Sequence, residues 1–176
     1  ISLTISRRWV SGVFMKRIEV RAPAKVNTLL RVIGRRADGY HDLEMVMLPL
    51  SLADELTLEE SSGGVDIVID GQSDPGMQGE KNLASRAALA IREIFSISAG
   101  LKISLQKKIP VAAGLGGGSS DAAAVLRGLN EMWQLGLENS ELAAIGSKLG
   151  ADVPFFCYGG PAFVEGIGDV VTPYTS

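Results

Sequence analysis

Apolar and polar residues alternate in a series of short runs along this chain, and recur at helical spacing in three others. The stretches 18–22, 26–33, 44–50, 55–60 and 65–69 read as strands, and 101–107 alternates apolar and polar like a half-buried strand. Pro23 separates the first two. Between strands, 34–39 is a charged turn in which Asp38 and Gly39 can supply a positive φ, 61–64 is a tight Ser-Ser-Gly-Gly connection, and 71–79 is a polar loop around Pro75. Asn82 opens a helix with Leu83, Ala87, Ala90, Ile91 and Ile94 on one face. Ala122, Val125, Leu126, Leu129 and Trp133 mark a second helix over 121–133. A third covers 140–149, with Gly150 as its stop. Short strands return at 155–158, 162–165 and 169–172. Strands, then helices, then strands predict an α+β domain, and the missing βαβ alternation argues against a dinucleotide-binding Rossmann sheet.

The most informative segment joins the strand 101–107 to the second helix. Pro110, Val111, Ala112, Ala113, Gly114, Leu115, Gly116, Gly117, Gly118, Ser119, Ser120 and Asp121 follow one another, four glycines and two serines among them. Glycines let backbone N–H groups turn inward and approach a ligand closely. A helix start adds unpaired N–H donors and the positive end of its dipole. A strand, a glycine loop and a helix start therefore predict an anion site, with phosphate the expected ligand. The loop has no lysine after Gly118, so it is not a Walker loop, and Ser119 stands where a dinucleotide fingerprint begun at Gly114 needs glycine. A tight turn with a serine cap is the plainer alternative, but a turn has no use for four glycines.

The chain of 176 residues suits one domain with a real core. A formal net charge of −3 argues against a nucleic-acid surface. No apolar run approaches a membrane span. The single cysteine, Cys157, lies in an apolar strand-like run, which predicts a buried, inert thiol and a reducing, cytoplasmic compartment. One histidine and one cysteine make a zinc site improbable, and no resident metal site is expected. Residues 1–14 precede Met15 and read as a disordered upstream extension. Arg7 and Arg8 are similar to a twin-arginine export signal, but the apolar segment is too short.

Three segments together carry a family resemblance: Ala22 to Asn27 running on to Gly34, Arg35, Arg36, Ala37, Asp38, Gly39, Tyr40 and His41; the glycine loop; and Gly150, Ala151, Asp152, Val153, Pro154, Phe155 and Phe156. They resemble the GHMP kinase superfamily and, within it, the 4-diphosphocytidyl-2-C-methyl-D-erythritol kinase family of non-mevalonate isoprenoid biosynthesis. The resemblance covers about 18–173. It implies a ribosomal-protein-S5-like domain, a mixed sheet backed by helices. It also implies transfer of the ATP γ-phosphoryl group, with Mg²⁺, to the 2-hydroxyl of the cytidylated methylerythritol. On this resemblance, the loop from Pro110 to Ser120 binds ATP, its part from Gly114 to Ser120 holding the phosphates, and Asn82, Leu83, Lys107 and Val111 border the adenine. Asp152 accepts the hydroxyl proton, and Lys25 pairs with it and offsets transition-state charge. Asn27 lies near the methylerythritol, while Tyr40 and His41 hold the cytosine by stacking and hydrogen bonding.

Taken alone, Asp152 reads as a surface-turn carboxylate, Lys25 as a solvated lysine at a strand start, and His41 as a half-buried loop histidine. Family members continue into a second domain, so the chain is expected to correspond to the first, ATP-binding domain alone (15–176). It is then an incomplete enzyme whose uncovered face could drive homodimerisation. Competing readings are another small-molecule kinase of the superfamily, acting on mevalonate, homoserine or a sugar; a catalytically dead nucleotide-binding module; and, weakly, a nucleic-acid binder.

Overall fold

A computed structural model gives the fold and describes residues 3–10, 13–37, 39–71 and 79–174. Among the described residues, seven strands form one mixed sheet: β1 (Leu3–Val10), β2 (Val13–Arg35), β3 (His41–Ser61), β4 (Val65–Gly71), β5 (Gly100–Lys107), β6 (Ala162–Gly166) and β7 (Val170–Pro173). The α-helices of the described residues are α1 (Leu83–Ile94), α2 (Gly117–Trp133), α3 (Asn139–Gly146) and α4 (Val153–Tyr158). The sheet order is β1-β2-β3-β5-β4, with β6 joining the near half of β3 and β7 joining β6. Only β4 and β5 run parallel, and the crossover between them contains α1. This is the expected α+β class, a mixed sheet backed by helices.

The core follows from two periodicities. Ile18, Val20 and Ala22 on β2, Leu56 and Leu58 on β3, and Leu101, Ile103 and Leu105 on β5 alternate inward and are buried. Against them lie Ala84, Ala87, Ala88 and Ile91 of α1 and Ala122, Val125, Leu126 and Leu129 of α2. Each large aliphatic side chain so buried contributes on the order of 1.5–3 kcal/mol. The alternate positions form a polar outer ladder, in which Arg17 stands opposite Glu59, Arg21 opposite Glu55, and Glu59 opposite Lys102. Helix α2 lies close on the sheet because Gly128 has no side chain. A Cβ there would stand 2.7 Å from Leu58 Cδ1 and 2.9 Å from Val20 Cγ2.

Several expectations need correction. Pro23 does not divide two strands; β2 runs through it, paired with β3 on both sides of a register shift between Pro23 and Lys25. A bulge is where a strand tolerates a residue without an N–H. Likewise, 44–50 and 55–60 are parts of one long β3. Helix α2 begins at Gly117 rather than near Asp121, so Gly117, Gly118, Ser119 and Ser120 form its first turn, and the Ser120 N–H donates to the Gly116 carbonyl at 2.9 Å. Apolar spacing marks where the packed face begins, not where the helix does. The run 153–158 is helix, not strand. Pro154 suits a first helical turn, and Gly159 closes the helix at φ 76°. Its apolar residues are buried all round, so periodicity could not separate the two states. Within 1–14, expected to be disordered, Leu3–Val10 instead pairs antiparallel with Val13–Val20. Alternation of Leu3, Ile5 and Trp9 with polar residues carries that strand signal. Residues 1, 2, 11 and 12, Asp38 of the expected turn, and Pro75 of the polar loop lie outside the described residues.

Candidate active site

The glycine loop leaves β5 at Lys108 and enters α2 at Gly117. Its backbone takes left-handed conformations at Ala112 (φ 58°), Gly114 (φ 73°) and Gly116 (φ 71°). Such a path turns successive N–H groups toward one side. A cavity of about 240 Å³ opens there, lined by Leu83, Lys107, Ile109 and the residues from Pro110 to Ser119. Gly116 is sterically required as well as conformationally. A Cβ there would meet the Phe156 ring at 2.9 Å and Lys25 Cγ at 3.1 Å. The Ser120 hydroxyl, one turn into α2, is buried and has no hydrogen-bond partner among the described residues. Asn82 caps α1, its side-chain oxygen accepting the Ala84 N–H at 2.8 Å, and so sets Leu83 at the cavity wall.

Lys25 is held against this loop. Its backbone N–H donates to the Leu115 carbonyl at 3.0 Å. Its ammonium lies 3.4 Å from Asp152 Oδ2 and donates to Asn27 Oδ1 at 3.2 Å. The Lys25 side chain is 8% exposed, whereas that of Asp152 is 32% exposed. The carboxylate therefore stands at the mouth of the site with its partner behind it. Asp152 immediately precedes α4 but makes no capping hydrogen bond, which leaves its oxygens to Lys25 and to the cleft. Of the residues expected at the transfer centre, the structure thus brings Lys25, Asn27, Asp152 and the loop together.

Tyr40 and His41 are elsewhere, at the far end of the β2–β3 arm. With Val32, Gly39, Leu43 and Ile167 they line a second cavity of about 360 Å³. The two places meet at the β6–β7 turn. Ile167 walls the second cavity, and a Cβ at the next residue, Gly168, would stand 3.9 Å from that of Ala151, the neighbour of Asp152.

Lys107 reaches the loop cavity but spends its charge beneath it. Its ammonium donates to Asp54 Oδ2 and, at 2.7 Å, to Asp121 Oδ2. Burial alone would lower the Lys107 pKa, but Asp121 and Asp54 together outweigh it and raise it. Burial pushes Asp121 up to about 7 against the pull of Lys107, and Asp54 adds to the rise. Asp54 and Asp121 carry no role in the sequence reading, yet a signal was present. Both aspartates and Lys107 fall on core-facing positions of otherwise apolar patterns. Cys157 is buried as expected, its thiol pushed up to about 12 by burial, with Arg127 acting in the opposite sense. Among the described residues no three His, Cys, Asp or Glu side chains are placed to hold a metal ion, and no helix is long and apolar enough to cross a membrane.

Comparison with known proteins gives this geometry a family. Residues 82–160, which include the loop and Asp152, match the GHMP kinases N terminal domain. The chain matches the GHMP kinase superfamily. A 4-diphosphocytidyl-2-C-methyl-D-erythritol kinase from Symbiobacterium thermophilum is 52% identical over 156 residues, covering 89% of this chain and 55% of that protein. A crystal structure of 4-(cytidine 5'-diphospho)-2C-methyl-D-erythritol kinase superposes with a TM-score of 0.76 at 44% identity, covering 89% of this chain and 55% of that one. Homoserine kinase from Cytophaga hutchinsonii superposes with a TM-score of 0.67 at 26% identity, covering 89% and 51%. The chain spans about half the length of the curated relatives it matches.

Proposed function

We propose that this chain carries the ATP-binding and phosphoryl-transfer half of a 4-diphosphocytidyl-2-C-methyl-D-erythritol kinase. The observation that carries the reading is the position of the Lys25–Asp152 pair, 3.4 Å apart and tied to the glycine loop by the Lys25 N–H to Leu115 O bond. An acceptor for a hydroxyl proton then stands beside a cradle for phosphate. The loop N–H groups and the start of α2 hold the ATP phosphates, and Leu83 and Val111 flank the nucleotide. Mg²⁺ bound with the ATP phosphates would neutralise their charge. No cluster of carboxylates among the described residues competes for it, and the unpartnered Ser120 hydroxyl suits an oxygen-seeking ion or a phosphate.

In the transfer step the substrate 2-hydroxyl oxygen forms a bond to the γ-phosphorus as the bond to the ADP oxygen breaks. The hydroxyl proton passes to an Asp152 oxygen, and Lys25 offsets charge on the reacting oxygens. Tyr40 and His41 in the second cavity take the cytosine, and Asn27 lies along the path between the two places. Reaction occurs in the cytoplasm, on a free small molecule.

The test is a chimera in which this chain replaces the matching half of the Symbiobacterium thermophilum protein. ADP release with Mg-ATP and the cytidylated methylerythritol should be robust, and Asp152→Asn should reduce it by about 10²–10⁴. A folded chimera that phosphorylates homoserine or mevalonate instead overturns the substrate assignment. One that binds no nucleotide overturns the kinase reading.

A further inference from the structure

The β3–β5 ladder ends at the pair Glu55 and Gln106. Just beyond it, a side chain takes over the work of the sheet. Asp54 Oδ1 accepts the backbone N–H of Lys108 at 2.5 Å and of Ile109 at 2.8 Å, the first two residues of the glycine loop. Asp54 Oδ2 accepts from Lys107 Nζ, and the same ammonium donates to Asp121 Oδ2 inside α2. Asp54, Lys107 and Asp121 are 0%, 5% and 3% exposed. The entry strand, the first loop residues and the exit helix are thus linked by one buried chain of charges. We propose that Asp54, Lys107 and Asp121 are a brace that fixes both stems of the glycine loop, and that Asp54 and Asp121 are positioning residues for its phosphate-binding N–H groups. This rests on the reading of the loop as a nucleotide-phosphate site.

Two further observations support a positioning role. The loop holds left-handed backbone at Ala112, a residue with a Cβ, as well as at Gly114 and Gly116. Such conformations persist only where the surroundings impose them. Buried ion pairs are also a poor way to gain stability, because apolar residues of similar volume avoid the desolvation cost. What this trio supplies that an apolar trio could not is directed hydrogen bonding to the loop backbone. A Cβ added at Gly117 would stand 3.2 Å from Lys107 Nζ, so the brace lies directly beneath the start of α2.

The experiment combines hydrogen exchange with ligand binding on the 176-residue chain. Asp54→Asn keeps the shape but weakens the acceptor. Amides of 108–116 should then exchange at least about tenfold faster, while those of 101–105 and of α1 keep their rates. Mg-ADP should bind about tenfold more weakly, with adenosine unchanged, because only the phosphate end depends on the braced N–H groups. A purely structural role would instead raise exchange throughout the sheet, or weaken both ligands alike, and either result overturns the brace. Unchanged exchange at 108–116 in a folded variant also overturns it. If Asp54→Asn does not fold, Asp121→Asn gives the same contrast from the helix side and is judged by the same criteria. If the unaltered chain binds no Mg-ADP, the nucleotide reading fails, and local exchange at 108–116 alone decides the brace.

Discussion

Two lysines flank the glycine loop, and they are used in opposite ways. Lys25 meets one carboxylate, Asp152, at the mouth of the cleft, where about a third of the Asp152 side chain is open to solvent. Lys107 meets two, Asp54 and Asp121, in a place solvent does not reach. Adjacent glycines look toward them: a Cβ at Gly116 would crowd Lys25, and one at Gly117 would crowd Lys107. On the proposed reading, the same ionic chemistry serves reaction where it is open and shape where it is sealed. An open carboxylate can receive a substrate and exchange a proton with it. A sealed one can only hold what already surrounds it.

The contrast breaks most sharply at the two aspartates. In the active chimera, Asp152→Asn should lower turnover by about 10²–10⁴ with only a small loss of thermal stability, since Asp152 is partly open to solvent and Lys25 keeps its hydrogen bond to Asn27. Asp54→Ala should do the reverse. It removes one of the two carboxylates that hold the buried Lys107 ammonium and strands two backbone N–H groups, and should cost about 3–5 kcal/mol in a urea titration. Equal stability losses in both variants would erase the distinction.

Gly116→Ala sharpens it on the open side. The alanine must adopt a left-handed conformation, at a cost of about 1–2 kcal/mol, and must also displace Phe156 or Lys25. Nucleotide affinity measured by calorimetry should fall more than the melting temperature suggests.

The sealed site also differs from the open one in its pH dependence. Asp121 is raised from an ordinary 3.8 to about 7, so between those values the folded chain holds a proton that the unfolded chain has released. Its contribution to stability therefore falls as pH rises from about 4 to about 7, and levels off above that. Asp121→Asn should flatten this slope in pH-dependent denaturation. A slope unchanged by the substitution would place the proton on another group.

Much of this is legible in the sequence. The alternation of β4 and β5, the capped start of α1 at Asn82 and the glycine loop all show in the sequence, because period and cap chemistry are local properties. Failures fell where local signals are silent. The apolar run 153–158 fits helix and strand equally until Pro154 and Gly159 are weighed. The first turn of α2 is written in glycine and serine, which carry no apolar period. Pro23 looks like a break unless the partner strand that bridges it is known.

Sequence by itself determined the fold class and the glycine loop between β5 and α2, whereas Lys25 and Asp152 were expected beside that loop only through family resemblance. Tertiary structure alone decided which charges meet. Asp54 and Lys107 are 53 residues apart in the chain, and Lys25 and Asp152 are farther still. No periodicity reports a pairing over such a distance. It arises because strand register and the packing of α2 on the sheet bring those positions together, and burial then fixes which pair stays sealed and which remains open to a substrate.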